Sequence, residues 1–394
     1  MLILLAKIIF WVSLIAIIHP YTSYPLFLYL KSKNKKARFN TFDKNNLPFV
    51  SILMAVHNEE KILAEKIQSI LNSNYPAHLY EIIIGSDASN DRTNEILKNF
   101  RGKHDNIQTV FFNERQGKIK IINKLIKKAK ADFILFTDAD VIFTAETIYE
   151  LIKYFKEKKI GLVDSNLQKQ ETQKKGVAIQ EKFYINFELN VKNKEGIIAG
   201  VMMGPFGGAY AIRKDLFENV PDNFLVDDFY INMKILQKNY WSINNPAAIA
   251  YDNGTDDIKA EFKRKTRIST GNFQNLKTFY KVLFSKRYLL AFSFFSHKVL
   301  RWLTPIFIIL LIICTLILFK ISFIYQVFTI LLFFSLLIPF IDYFLRKNGF
   351  HIILLRFISH YYYMNLGLLI GLIKYIKGVK SNVWEPTKRR NKAQ

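Results

Sequence analysis

The stretch "FVSILMAVHNEEKILAEKIQSILNSNYPAHLYEIIIGSDASND" (Phe49–Asp91) decides the fold. Its opening, "FVSILMAV", is a short apolar run broken only by Ser51 and reads as a strand. "EEKILAEKIQSILN" then spaces its apolar residues as one face of a helix, and "YEIIIGS" is a second buried strand. A helix between two buried strands is the crossover of a parallel pair. The alternation continues downstream. "DRTNEILKNF" reads as a helix, "NIQTVFF" as a third strand, "KIKIINKLIKKAK" as a helix and "DFILFT" as a fourth strand. The expected class is α/β: a mostly parallel, Rossmann-like sheet covered on both faces.

In such sheets ligands bind at the carboxyl ends of the strands. Three polar clusters fall at those ends: "HNEE" (His57–Glu60), "SDASND" (Ser86–Asp91) and "DAD" (Asp138–Asp140). Each alone reads as a solvated acidic loop; together they point to one pocket. With an extended backbone, Asp138 and Asp140 share a face, and two close carboxylates resist joint ionisation unless a cation lies between them. Few protein oxygens, completed by water and substrate phosphates, suit Mg2+ or Mn2+.

The 394-residue chain has a formal net charge of +24, distributed unevenly. Residues 1–30 carry Lys7 as their one acidic or strongly basic side chain and are long enough to cross a bilayer, so they read as an uncleaved anchor. The basic cluster "KSKNKKARF" (Lys31–Phe39) follows, which places the middle of the chain in the cytosol. Further apolar spans are expected at Trp302–Phe319 and Ser322–Phe344, with a weaker one near Tyr361–Ile376. "SFFSHKVLRW" mixes His297, Lys298 and Arg301 with aromatics, as a helix in the headgroup region does. Three C-terminal crossings would leave the basic end "KGVKSNVWEPTKRR" outside, against the positive-inside bias. The expected organisation is an anchor over 1–30, a basic linker over 31–47, a cytosolic domain over 48–288, an interfacial helix over 289–301, a transmembrane region over 302–380 and a basic tail over 381–394. The protein is therefore expected in the cytoplasmic membrane. Cys314, the single cysteine, permits no intramolecular disulfide and agrees with a reducing compartment. No recognised nucleic-acid motif accompanies the charge, and basic residues beside apolar spans suit anionic lipid. Nucleic acid is not expected as a partner.

Together the clusters resemble family 2 glycosyltransferases of GT-A fold, in the membrane-embedded branch of the cellulose, hyaluronan and poly-N-acetylglucosamine synthases. The likeness runs from the N-terminal anchor through the cytosolic domain to the C-terminal spans. "AVHNEE" is similar to the family's Tyr-Asn-Glu turn, with His57 in the aromatic position and Asn58 and Glu59 following. Asp87 matches the Asp that hydrogen-bonds the uracil ring. "RQGKIKIINKLI" resembles the Gly-Lys segment that continues the nucleotide site, through Gly117 and Lys118. Asp138 and Asp140 take the place of the metal-binding D-x-D. "GPFGGAYAIRKDLF" is similar to the acceptor-side glycine turn, with Gly208 in it. "VDDFYINMKI" is similar to the segment carrying the catalytic base, which makes Asp228 that base and Asp227 its nearest alternative. "EFKRKTRISTGNFQNL" stands where processive synthases carry Q-x-x-R-W; it offers Arg264 and Arg267 to the leaving diphosphate, but Ile268 replaces the Trp that stacks under an acceptor sugar.

The resemblance implies an inverting, metal-dependent transfer of a hexosyl or N-acetylhexosaminyl group. The donor would be a nucleotide sugar, a UDP-sugar foremost, and the acceptor a lipid carrier or a glycan at the membrane. A partner subunit is left open. Two alternatives belong to other classes. A sugar-phosphate nucleotidyltransferase would want a glycine-rich loop after the first strand, where "AVHNEEKIL" has no glycine. A catalytically inactive membrane scaffold of the same fold is the other.

Overall fold

The computed structural model describes residues 1–35, 39–169, 178–252 and 258–379. Part of the basic cluster (36–38) and the tail expected over 381–394 lie outside the described residues. The chain forms two compact units, one of Lys31–Thr172 and Ile185–Glu261, the other of Met1–Leu30, Gln173–Tyr184 and Phe262–Gly378.

The first unit is built on an eight-stranded sheet among the described residues. Its strands are β1 (Val50–Val56), β2 (Tyr80–Asp87), β3 (Ile107–Phe112), β4 (Phe133–Thr137), β5 (Val141–Phe143), β6 (Ile160–Lys169), β7 (Ala209–Arg213) and β8 (Trp241–Asp252). Their order is β3-β2-β1-β4-β7-β6-β8-β5. Every residue of β1, β2 and β4 is buried, which is why these strands appear in the sequence as mostly apolar runs; the polar exceptions near their start, Ser51 and Glu81, satisfy each other at 2.6 Å. β1 pairs in parallel with β2 (Val50 opposite Tyr80) and with β4 (Val50 opposite Phe133). The crossover helices are Leu63–Leu71, Thr93–Arg101 and Lys118–Leu125. From β1 the chain goes first to β2 on one side, then to β4 on the other. The crevice between the carboxyl ends of β1 and β4 is thus a topological switch point. β7 runs antiparallel between β4 and β6, and β6 pairs in parallel with β8.

In the second unit, helix Leu2–Ile18 packs along helix Leu300–Leu318, burying Ala6, Phe10, Leu311, Cys314, Leu318 and Tyr325 together. Among the described residues three helices are long and apolar enough to cross a membrane: Leu2–Tyr21, Tyr288–Leu318 and Phe323–Lys347. Large apolar side chains such as Ile330, Leu331, Phe340 and Phe344 face outward on the last of them. The interfacial helix expected over 289–301 joins the next span without a break, through a π-helical turn at Phe294–Val299. His297 and Arg301 are buried there, because the N-terminal segment covers them: Arg301 stacks over the Tyr21 ring at 5.1 Å, and His19 Nε2 lies 2.9 Å from Ser296 Oγ. Helix Ile353–Ile376 runs continuously through Arg356 and His360. It lies against helix Ile258–Phe279, where Ser269 Oγ donates to the Leu368 carbonyl at 3.0 Å and Gly371 meets Ser269 and Thr270.

Candidate active site

At the end of β1 the chain turns sharply, with Asn58 in the left-handed region (φ 53°). This turn is stitched to the one after β2. Asn58 Oδ1 accepts from the Asn90 N–H at 2.9 Å, Ser89 Oγ accepts from the Asn58 N–H at 3.1 Å, and Thr93 Oγ1 accepts from the Glu59 N–H at 2.8 Å. Asn58 thus joins two loops, and Glu59 is buried beside it. Asp87, fully buried, closes the same region. Its carboxylate accepts from the N–H groups of Gln116 (2.6 Å) and Gly117 (3.0 Å) and from Arg115 Nε (3.1 Å). Asp87 therefore shapes the "RQG" loop directly, and Gly117 takes φ 87° to enter the helix Lys118–Leu125.

Arg115, which the sequence reading passed over, also reaches His57: its Nη1 is 2.6 Å from Nε2. A guanidinium has only donors, so Nε2 must accept, and Nδ1 carries the proton it gives to the Asp87 carbonyl oxygen at 2.7 Å. His57 is held as the neutral ring. Burial lowers its pKa, the Asp87 carbonyl opposes that, and the Arg115 charge adds to the fall.

The Asp138–Asp140 segment is a turn and not an extension of β4, so the expectation of two side chains on one strand face does not hold. The Val141 N–H closes back on the Asp138 carbonyl (3.3 Å), and the Asp138 N–H is taken by the Gly208 carbonyl (3.1 Å). Gly208 itself is buried, pressed so closely on Val141 and Leu167 that a Cβ would stand 2.9 Å from the Val141 methyl. Beneath the turn lies Lys66, fully buried on a helix face with Leu63, Ile67, Ser69 and Ile70. Its ammonium donates to Thr137 Oγ1 at 2.9 Å and to the Val141 carbonyl, and sits 3.4 Å from the Phe143 ring centre. It ties both ends of the turn. Burial drives the Lys66 pKa well down, while Asp138 and Asp140 pull it up.

Above the turn Lys118 Nζ pairs with Asp138 Oδ1 at 2.7 Å and stands 3.9 Å from Asp227 Oδ2. Burial would lower its pKa, but the carboxylates of Asp138, Asp227 and Asp228 outweigh that and hold the ammonium above its usual range. Asp138 is shifted upward by burial; Lys118 pulls against the shift and Asp140 adds to it. Asp227 and Asp228 occupy the first turn of helix Asp227–Gln237, where the helix dipole favours negative charge. Asp228 Oδ1 accepts from the Phe229 N–H at 2.6 Å. Its other oxygen rests against Gly207, whose φ of 84° and missing side chain leave the space for it. Burial pushes Asp228 up to about 7, Asp227 adds to the rise, and Lys118, the Phe229 N–H and Lys192 hold it back.

Lys118, Asp138, Asp227 and Asp228 therefore converge at the end of β4, with the His57, Asp87 and Arg115 group at the ends of β1 and β2. Arg264 and Arg267 belong to the other unit, on helix Ile258–Phe279, the first half-buried and the second exposed. Among the described residues no three His, Cys, Asp or Glu side chains gather as a ready-made metal site. Two carboxylates on a tight turn still fit a Mg2+ or Mn2+ ion, which takes few ligands from protein.

An open sheet with this switch point and these convergent charges is the GT-A-like α/β fold of nucleotide-sugar transferases. Residues 51–220, most of them in the α/β unit, match the family model "Glycosyl transferase family 2". The nucleotidyltransferase alternative gives way to it. The chain is 26% identical over 257 residues to the probable glycosyltransferase YdaM of Bacillus subtilis, covering 59% of this chain and 60% of the relative. It is 25% identical over 271 residues to the poly-beta-1,6-N-acetyl-D-glucosamine synthase of Staphylococcus aureus, covering 68% and 64%. The chain thus spans under two thirds of the length of these relatives. The mannosyltransferase PcManGT from Pyrobaculum calidifontis, solved in complex with GDP-Man and Mn2+, superposes with a TM-score of 0.70 at 17% identity, over 94% of this chain and 99% of that one. This last likeness establishes the fold.

Proposed function

We propose that the protein moves a hexosyl or N-acetylhexosaminyl group, with inversion, from a nucleotide diphosphate sugar to a lipid-linked or polysaccharide acceptor at a membrane. The observation that supports this best is Lys118, whose ammonium is 2.7 Å from Asp138 and 3.9 Å from Asp227. One cation thereby spans the side of the pocket that would meet the diphosphate and the side that would meet the acceptor. Asp228, with a pKa near 7, is suited to take the proton of an acceptor hydroxyl at neutral pH. Asp138 and Asp140 would hold a divalent ion, whose chemistry is to neutralise the departing diphosphate. Lys118 adds a second positive charge there, and Asp87 orders the loop on which Lys118 begins its helix. The relatives named for poly-N-acetylglucosamine favour an N-acetylhexosamine donor and a polymeric product. Ile268, in place of an acceptor-stacking Trp, favours a single addition.

The three apolar helices support membrane anchoring. Two C-terminal spans instead of three return the chain to the side of the catalytic unit, so that unit and the basic tail share the cytosolic side. That arrangement satisfies the positive-inside bias which a third crossing would violate. The decisive experiment incubates membranes containing the protein with labelled UDP-N-acetylglucosamine, UDP-glucose and GDP-mannose, measures released nucleotide and sizes the product. Asp138→Ala and Asp228→Asn are expected to abolish transfer. Unchanged transfer in either would reject the assignment.

A further inference from the structure

Behind the glycine turn lies an ion pair that the chemistry above does not use. Asp164 of β6 and Lys192 of helix Ala178–Ala199 are 0% and 2% exposed, with Nζ and Oδ2 3.3 Å apart. A buried ion pair is costly to desolvate and is weak evidence of a stabilising role. Its partners lead toward the site. Asp164 Oδ1 accepts from the Phe206 N–H at 3.3 Å, and the Lys192 ammonium sits 3.4 Å from the centre of the Phe206 ring. The pair thus grips Phe206 by backbone and by ring. The next residue is Gly207, the wall on which Asp228 rests. Asp164 also lies where the pairing of β6 with β8 slips its register between Asp164 and Asn166, an irregularity of the kind that re-aims side chains near active sites.

We propose that Asp164 and Lys192 are positioning residues for Asp228: they fix the Phe206–Gly207 wall on which it rests, and Lys192 adds its positive charge to that of Lys118 near the carboxylate. The proposal rests on the reading of Asp228 as the proton acceptor. Asp227 on its own helix, Lys118 and Lys192 act on Asp228, and Asp228 shares the surroundings of Tyr210 of β7 with Asp227, Asp138 at the end of β4 and Asp164. Burial, and then Asp227 and Asp228, keep the Tyr210 hydroxyl well above its usual range and therefore neutral during turnover. Lys118 and Lys192 both favour the ionised base.

The test is the pH dependence of kcat in the full-length protein, reconstituted in lipid and read as nucleotide release. Lys192→Met removes a positive neighbour and is expected to move the acid limb up by about one pH unit; Asp164→Asn, of nearly the same shape, removes a negative one and is expected to move it down by about as much. The double variant should return toward the parent limb. Donor KM should stay within about twofold, since the pair acts on the base and not on the nucleotide. A merely structural pair would lower kcat in both variants without moving either limb. Should Lys192→Met fail to fold, the near-isosteric Asp164→Asn decides alone: a downward shift supports the proposal, and a fixed or upward limb overturns it. Asp228→Asn separates the two levels. If it transfers sugar normally, the reading of the base falls and this inference with it. If it is inactive while the Asp164 and Lys192 limbs coincide with the parent's, only the inference falls.

Discussion

Gly207→Ala adds one methyl group at the point where the glycine turn meets Asp228, the proposed base. The first cost is conformational, since φ is 84° and an L side chain in the left-handed region costs on the order of 1–2 kcal/mol. The second is steric. The new Cβ would stand 3.2 Å from Asp228 Cγ and closer still to Oδ2, well inside contact. Asp228 cannot swing aside cheaply, because its other oxygen holds the Phe229 N–H at 2.6 Å. Turn or carboxylate must therefore yield by roughly 1 Å, a misplacement that costs about 100-fold in rate when it falls on a reacting group. We expect kcat for sugar transfer to drop by about that factor, with donor KM within about threefold. Gly349→Ala separates the two costs, since Gly349 has φ 83° and nothing within 4 Å of its added Cβ. It should lose a little stability and keep its activity. A Gly207→Ala protein that transfers sugar within threefold of the parent would refute the placement of Asp228 against this turn.

With Asp228 at about 7, kcat should fall about tenfold per pH unit below that value. Its folded pKa exceeds the ordinary carboxylate's, about 3.9, so native stability declines as pH rises between the two. Asp228→Asn should therefore melt above the parent at pH 8, and the gap should close toward pH 4; equal melting points at pH 8 would contradict the shift. Arg115→Met removes a charge from the fully buried Asp87, a loss on the order of 3 kcal/mol. The melting temperature should fall by several degrees, and a change under one degree would show that the two N–H groups of the loop suffice. Chelation should abolish transfer, and Mn2+ or Mg2+ should restore it. Asp140→Asn should need at least about tenfold more ion, both for turnover and for direct Mn2+ binding by the protein alone. Equal Mn2+ affinity would remove Asp140 from the site.

The parallel half of the sheet was legible because both of its faces are covered: β1, β2 and β4 show as short, mostly apolar runs, and the polar ends of those runs mark the crevice. The antiparallel half carried no such mark. β7 and β6 lie in "GPFGGAYAIRKDLF" and "IGLVDSNLQK", where glycines and polar residues interrupt the pattern. Two of the charged residues that the sequence did not single out, Lys66 and Lys192, lie on helices, where buried and solvated charge look alike. Lys192 falls in a stripe with Glu188 and Glu195, at the spacing of a solvated face, yet all three are buried. Lys66 did leave a signal, since it stands at the i+3 place of the apolar set Leu63, Ile67 and Ile70, where a core residue belongs. The D-x-D spacing gave the right residues with the wrong backbone. A hydrogen bond across three residues, from Val141 to Asp138, is not written in side-chain identity.

The neutral, doubly engaged imidazole of His57 fastens the turn after β1 to the end of β2 and to the Arg115 loop without carrying charge of its own. Mild acidification should leave that fastening intact, while Asp228, beside Gly207, takes up a proton. The scaffold would stay whole as the proposed base falls silent, and transfer would resume when neutrality returns.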